Sequence, residues 1–159
     1  MEKRFHLSFN LINFAKQDRD MEIRKMAYWL LKSEPEVWSW HDQVKARTTN
    51  WDGVRNYQAS NNMKAMKIGD LAFFYHSGKE KQIVGIVEIT KEYHLDPTDI
   101  TGRFCMVEVK AVKSLSKPVS LQTIKSNAGL QNLALVRQSR LSVMPIDQKS
   151  WEIICKLGN

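Results

Sequence analysis

The four histidines and two cysteines carry the most reactive side chains in this sequence, and their spacing limits the chemistry open to them. The histidines show neither HxH nor HxxxH spacing and the cysteines form no CxxC pair, so neither a zinc site nor a redox motif is predicted. The motifs GxGxxG, GxxxxGKS/T and GxSxG are also absent. His76 and Ser77 are adjacent, but neighbouring residues on a strand point to opposite faces. We therefore predict no catalytic residue, no cofactor and no metal.

Asp96 and Asp99 are the closest pair of aspartates after residue 25, and paired carboxylates can perform acid–base chemistry. They stand on either side of Pro97, however, and aspartate and proline together are typical of a turn. The interpretation we favour is turn formation. The enzyme hypothesis that stays open at this point is a hydrolase that uses His76.

The basic residues are distributed unevenly along the chain. No acidic residue occurs between Glu108 and Asp147, whereas this stretch contains Lys110, Lys113, Lys117, Lys125, Arg137 and Arg140. Residues 53–69 are also free of carboxylates and contain Arg55, Lys64 and Lys67. Long acid-free stretches favour a positive surface that attracts a polyanion, so nucleic acid is the predicted partner. A solvated basic face without a ligand is the alternative.

Six aromatic residues lie within residues 28–57, and most of them must pack in the core. Trp51 differs from the others because it is surrounded by polar residues in the sequence Thr48-Thr-Asn-Trp-Asp-Gly. It either plugs the core from a loop or forms the wall of a pocket. In a pocket, its indole would offer a surface on which a nucleobase can stack.

The length of 159 residues suits one domain, and no apolar run is long enough to span a membrane. The two widely separated cysteines fit a reducing, cytoplasmic setting. Residues 1–25 differ from the rest because polar residues interrupt their apolar run and a charge-dense segment follows. We predict a compact domain over residues 26–159. The first 25 residues are then a loosely attached extension or follow from a wrongly chosen start codon.

The periodicity of apolar residues predicts five strands with short helices between them. The strands are expected at residues 28–32, 71–76, 83–93, 103–113 and 140–146. Helices are expected at residues 36–45 and 57–66, after Ser120 and after Asp147, and residues 48–56 read as a loop. No regular βαβ alternation appears. This pattern favours an α+β fold with a small mixed β pseudo-barrel and peripheral short helices.

Six motifs in order carry a resemblance to a known family. They begin at Tyr28 (YWLLKSEP), Trp38 (WSW), Trp51 (WDGVRNYQA), Gly69 (GDLAFFYHS), Ile83 (IVGIV) and Leu135 (LVRQSRLSV). The chain closely resembles the EVE-domain family over about residues 26–158. That resemblance implies a PUA-like fold and a non-catalytic protein that takes a modified base of DNA or RNA into an aromatic-walled pocket.

The resemblance also implies which residues form the pocket. Matched motif to motif, the ligand-binding residues are Ser33, Trp51, Asn56, Tyr75, His76, Ser77, Arg137, Ser139 and Leu141. The basic rim that would contact the nucleic acid is expected at Arg55, Lys110, Lys113 and Arg140. Other members usually have arginine where this chain has Ser60, which removes one expected phosphate contact.

Several alternatives remain open on the sequence. DNA and RNA are not distinguished, nor are methylcytosine, hydroxymethylcytosine and methyladenine. With the resemblance, the enzyme alternative becomes a hydrolase or other enzyme that uses His76 and acts on a modified nucleotide. A third alternative is a protein-interaction scaffold, which would bind its partner through the basic face without any dependence on a nucleobase.

Overall fold

The computed structural model describes residues 25–159. Six strands lie within them: β1 (Tyr28–Ser33), β2 (Thr48–Trp51), β3 (Leu71–His76), β4 (Gln82–Leu95), β5 (Cys105–Ser120) and β6 (Val143–Ile146). They form one mixed sheet in the order β2-β5-β4-β3-β1-β6. β1 runs parallel to β3, and the other neighbouring pairs are antiparallel.

Short helices surround this sheet in the described part of the chain. They are α1 (Trp40–Ala46), α2 (Tyr57–Ala65), α3 (Leu121–Ser126), α4 (Ala134–Arg137) and α5 (Gln148–Leu157), with a 3₁₀ turn at Ala128–Leu130. The caps predicted at Ser120 and Asp147 are confirmed, since each side chain accepts a backbone hydrogen bond at the start of its helix. Ser39 and Asp42 form a reciprocal capping box that begins α1.

The five predicted strands are confirmed, with β5 longer than expected and β6 shorter. The loop predicted over residues 48–56 is wrong for its first four residues, which form β2. This strand pairs with β5 from Thr48 opposite Lys110 to Trp51 opposite Val107. Its polar residues give no alternating pattern because β2 is an edge strand supported on one side only.

The sheet curls back on itself. β2 and β3 are separated by two strands in the sheet order, yet the Trp51 ring meets the Phe74 ring edge-on with centroids 5.5 Å apart. Trp40 at the start of α1 contacts the same ring at 5.2 Å. Phe73 packs on the opposite side of the strand, stacked on Trp151 of α5 at 3.9 Å. Because side chains alternate along a strand, Phe73 and Phe74 of β3 belong to two aromatic clusters on opposite faces of the sheet. The curl of the sheet encloses the cluster around Phe74.

The Trp40 indole packs closely against Gly85 of β4. A Cβ atom there would lie 2.3 Å from Cζ2 of the Trp40 indole, well inside contact distance. We expect Gly85→Ala to destabilise the protein by about 1–3 kcal/mol, the usual cost of overpacking a core. Urea unfolding measures this loss. Gly129→Ala is the control, because its Cβ would meet the flexible end of Ile153 at 3.2 Å. Equal stability of the two variants would contradict the packing described.

No helix within residues 25–159 is long and apolar enough to cross a membrane. The extension expected over residues 1–25 lies outside the described residues, apart from Lys25.

Candidate functional site

An open cavity of about 580 Å³ lies between the end of β1, the segment before α1, and β2 with the loop that follows it. Its lining consists of residues 32–34, 37–38, 49–56 and Ser142. Strands β1 and β2 are far apart in the sheet order, so the curl of the sheet creates this cavity. Its volume is within the range of sites that bind small molecules.

Trp51 forms one wall of the cavity. Its side chain is 8% exposed, and its ring is braced from behind by Phe74. Trp51 is therefore both a core residue and a cavity wall, but it packs from the end of strand β2 and not from a loop. Its indole N–H has no hydrogen-bond partner within residues 25–159 and is available to a ligand.

Trp38 forms a second aromatic wall that the sequence analysis did not single out. Its indole Nε1 donates to Oε1 of Gln43 at 2.9 Å, and Nε2 of Gln43 donates to the carbonyl of Arg47 at 2.9 Å. Gln43 is fully buried and fixes the orientation of the ring. The signal available in the sequence is the motif Trp38-Ser-Trp40, which does not say which of the two rings faces the cavity.

Asp96 holds the loop after β2 in place from a distant part of the chain. Its buried carboxylate accepts hydrogen bonds from the Gly53 N–H at 2.9 Å and from Nη1 of Arg55 at 2.9 Å. The backbone N–H and hydroxyl of Thr98 bond its other oxygen. Burial opposes ionisation, but the hydrogen bonds from Thr98, Gly53 and Arg55 outweigh it and hold the pKa of Asp96 well below its usual range. The aspartate predicted to form a turn also shapes the cavity.

Ser33 and Asn56 present polar groups to the cavity. The Ser33 hydroxyl donates to the Trp38 carbonyl at 2.5 Å, which leaves its oxygen able to accept. Asn56 caps α2 through its Oδ1, which accepts from the Ala59 N–H at 2.9 Å. The amide nitrogen of Asn56 has no partner within the described residues, so its two hydrogens remain available. The cavity thus offers both donors and acceptors.

The charges that line the cavity nearly balance. Lys32 lies at its edge, where burial lowers the pKa of the ammonium group, and Nζ donates to the Ser139 carbonyl at 2.9 Å. Glu34 and Asp52 contribute two exposed carboxylates, and Arg55 is already paired with Asp96 at 2.9 Å. A cavity of this kind suits a neutral polar group better than a phosphate.

His76, predicted to bind the ligand, does not line the cavity. Its Nε2 accepts from the Trp40 backbone N–H at 2.9 Å, so the ring proton belongs on Nδ1, which contacts Oε2 of Glu80 at 2.5 Å. Both ring nitrogens are therefore engaged within the fold. The neighbouring Ser77 hydroxyl donates to the Ser33 carbonyl at 3.3 Å. His76 supports the start of α1 and makes no nucleophile–base pair with Ser77.

The other predicted ligand-binding residues do not line the cavity either. Tyr75 is buried, which raises its pKa to about 12, and Nζ of Lys32 lies 5.8 Å from its ring centroid. Ser139 touches the site through its carbonyl on Lys32, and Leu141 is a core residue beside the lining residue Ser142. Arg137 is exposed at the end of α4 and donates to Asn132 at 2.9 Å.

The predicted basic rim is spread over several parts of the surface. Arg140 is exposed in the loop that carries Ser139 and Ser142, next to the cavity. Lys110 is exposed on β5 opposite Thr48, one position before the lining residue Thr49. Lys113 lies further along β5, opposite Ile86 of β4. Arg55 lines the cavity, but its guanidinium also donates to the Thr98 hydroxyl at 2.9 Å, so it braces the loop.

Metal ligands are not gathered anywhere in the described part of the chain. Within residues 25–159, no group of three or more His, Cys, Asp or Glu side chains could hold a metal ion. The features that a ligand would meet in the cavity are its aromatic walls, its unpaired hydrogen-bonding groups and its balanced charge.

A mixed, curled sheet with peripheral helices and an open aromatic-walled cavity defines a small α+β protein with a PUA-like fold. The family model described as "EVE domain" matches residues 27–157, and the chain belongs to the EVE-domain family. Chicken thymocyte nuclear protein 1 is 36% identical, over 89% of this chain and 74% of that protein.

Two solved structures show how closely the fold is shared. A protein from Rhodopseudomonas palustris is similar at 50% identity and a TM-score of 0.79, over 84% of this chain and 93% of that one. The human THYN1 protein in complex with 5-methylcytosine-containing DNA is similar at 35% identity and a TM-score of 0.79, over 84% and 98% of the two chains.

Proposed function

We propose that this protein is a non-catalytic reader of modified bases that holds 5-methylcytosine of DNA in the cavity between Trp38 and Trp51. The observation that carries this proposal is the cavity itself, which combines two indole walls with uncommitted donors and acceptors. The complex of human THYN1 with 5-methylcytosine-containing DNA supports the choice of ligand.

Cytosine matches the chemistry of the lining. Its ring can stack on Trp51, and such base–aromatic contacts contribute about 1–3 kcal/mol each. Its O2 and N3 atoms accept hydrogen bonds, for which the Asn56 amide nitrogen is available. Its exocyclic amino group donates, and the Ser33 hydroxyl oxygen or the Asp52 carboxylate can accept. Together these contacts offset the few kcal/mol needed to extrude a base from a duplex.

The phosphates are expected to stay outside the cavity. Glu34 and Asp52 disfavour an anion at the lining, whereas Arg140 and Lys110 are exposed beside it. This separation assigns the base contacts to the cavity and the salt-dependent, sequence-independent contacts to the rim.

Selectivity for the methyl group is expected to be modest. Val37 and Val54 are the aliphatic residues of the lining, and burying one methyl-sized group is worth about 0.8 kcal/mol. This corresponds to about a fourfold preference for 5-methylcytosine over cytosine. The larger part of the affinity comes from stacking and from the phosphates.

The competing enzyme hypothesis requires a free catalytic base. His76, the histidine that hypothesis invokes, has both ring nitrogens engaged by Trp40 and Glu80. A reader leaves the oligonucleotide chemically intact, and His76→Ala then changes binding only through the support that His76 gives to α1. Turnover of the oligonucleotide would favour the enzyme.

A fluorescence titration of the full chain tests the proposal. The oligonucleotides carry cytosine, 5-methylcytosine, 5-hydroxymethylcytosine or methyladenine at one position, as DNA and as RNA, at two salt concentrations. We expect 5-methylcytosine DNA to bind about fourfold more tightly than its cytosine counterpart at both salt concentrations. Affinities that depend on salt alone, with no effect of the modification, would contradict base reading and favour the scaffold hypothesis.

A further inference from the structure

Tyr57 is an exposed aromatic residue directly beside the cavity. It is the first residue of α2 and follows Asn56, which lines the cavity and caps the helix. Its side chain is 61% exposed, whereas Trp51 is 8% exposed. Consecutive Cα atoms are about 3.8 Å apart, so the Cα atom of Tyr57 lies next to that of Asn56, which lines the proposed base site.

The Tyr57 ring rests on a supported aromatic base. Its centroid lies 5.0 Å from that of Phe104, with 39° between the ring planes. Phe104 is buried, and the Arg55 guanidinium carbon lies 5.7 Å from its ring centroid. Asp96 pairs with Arg55 at 2.9 Å and also holds the loop after β2. The same aspartate therefore stabilises both the support of the Tyr57 ring and the cavity.

The fold uses only part of the Tyr57 ring, through its contact with Phe104. The Tyr57 hydroxyl has no hydrogen-bond partner within residues 25–159, and aromatic residues have only moderate helix propensity. Phe104 supplies the buried part of the contact. An aromatic ring that is supported on one side and exposed on the other has the form of a stacking surface for a second flat group.

We propose that Tyr57 stacks on the nucleobase next to the one held in the cavity. This inference rests on the proposed function and adds a second base-binding position to it. When a base leaves its stack, its neighbour loses one stacking contact, and the Tyr57 ring replaces that contact. Stacking of this kind tolerates any base, because every base has a π-face.

Abasic nucleotides provide the test. Single-stranded DNA carries one 5-methylcytosine, and the nucleotide on its 5′ or 3′ side is either intact or abasic. We expect the wild-type protein to lose affinity about fivefold or more on one of the two abasic strands, in line with one lost stacking contact. Tyr57→Leu should lose the same factor on the intact strand and nothing further on that abasic strand. Tyr57→Phe should stay within about twofold of wild type, because the ring is kept.

Ile68→Ala serves as the matched control, since Ile68 is 59% exposed in the turn between α2 and β3 and does not line the cavity. Equal wild-type affinity for all strands, or an equal loss for Tyr57→Leu on intact and abasic strands, would overturn the inference. The ratio of affinities for 5-methylcytosine and cytosine is measured in parallel. A preserved ratio without a Tyr57 effect contradicts this inference alone, whereas a ratio of one contradicts the proposed function.

Discussion

Trp51→Ala is expected to lower the affinity for oligonucleotides carrying 5-methylcytosine or cytosine alike by about 1–3 kcal/mol, or roughly fivefold to 150-fold. The indole is the braced wall of the cavity, and both bases present the same flat face to it. The loss should therefore be common to the two ligands, and their affinity ratio should change little. Titration of wild type and Trp51→Ala with both oligonucleotides measures the loss of affinity and the affinity ratio.

The control for this prediction must separate binding from stability. Trp51 is buried against Phe74, so removal of the ring also costs packing energy. Trp51→Phe keeps an aromatic face but lacks the indole N–H, and it should retain most of the affinity. Trp151→Leu removes a comparable buried indole that packs on Phe73, away from the cavity. Unchanged affinity of folded Trp51→Ala would remove Trp51 from the site.

Asp96→Ala is expected to lower the free energy of unfolding by about 3 kcal/mol and to weaken base binding as well. Removal of one partner from a buried ion pair costs about 3–5 kcal/mol, and the value falls at the lower end because Arg55 is partly exposed. The Gly53 N–H and the Arg55 guanidinium would both lose their acceptor, and the loop that carries Asn56 would lose its anchor. Urea unfolding and titration report the two losses.

Asp99→Ala is the matched control, because this aspartate lies in the same loop and accepts hydrogen bonds from Thr101, Arg103 and Phe104. These bonds lower its pKa to about 2, yet none of them reaches the cavity. The folded Asp99→Ala protein should lose far less affinity than Asp96→Ala, because Asp99 bonds the backbone of Phe104 but nothing in the cavity lining. A loss of affinity as large as that of Asp96→Ala would contradict a specific connection between Asp96 and the cavity.

The pH dependence of stability provides a second readout for Asp96. Because its pKa is lower in the folded protein than in the unfolded chain, its ionised form stabilises the fold. This contribution is complete above the unfolded value of about 3.9 and is lost as the pH falls toward the folded value. We expect the stability difference between wild type and Asp96→Asn to be constant near neutral pH and to shrink below about pH 4.

Local signals predicted most of the fold. The strand predicted at 28–32 and the helix predicted at 57–66 match the observed Tyr28–Ser33 and Tyr57–Ala65 to within one residue, because apolar spacing and boundary residues mark both. β2 was missed because its pairing with β5 comes from residues about 60 positions away, and its own polar sequence carries no period. The fold class followed from the resemblance as well as from the pattern of elements.

The site was harder to predict because long-range contacts create it. Ser33, Trp51, Asn56 and Arg55 were selected by motif, and the structure places them around one cavity. The motif Trp38-Ser-Trp40 does not reveal which ring faces the cavity, and the hydrogen bond from Trp38 to the buried Gln43 is a contact that no local pattern predicts. The contact between Asp96 and Gly53 spans 43 positions, so no local pattern could reveal that a turn-forming aspartate braces the loop.

The five indole N–H groups of the protein test the central claim most directly, because each gives its own signal in a ¹H–¹⁵N NMR spectrum. Upon titration with 5-methylcytosine DNA, we expect the signals of Trp38 and Trp51 to shift, since these two rings line the cavity. Those of Trp29 and Trp151 should not move, because Trp29 donates to buried Asp70 and Trp151 packs on Phe73. Binding that leaves the Trp38 and Trp51 signals in place would contradict a base held between these rings.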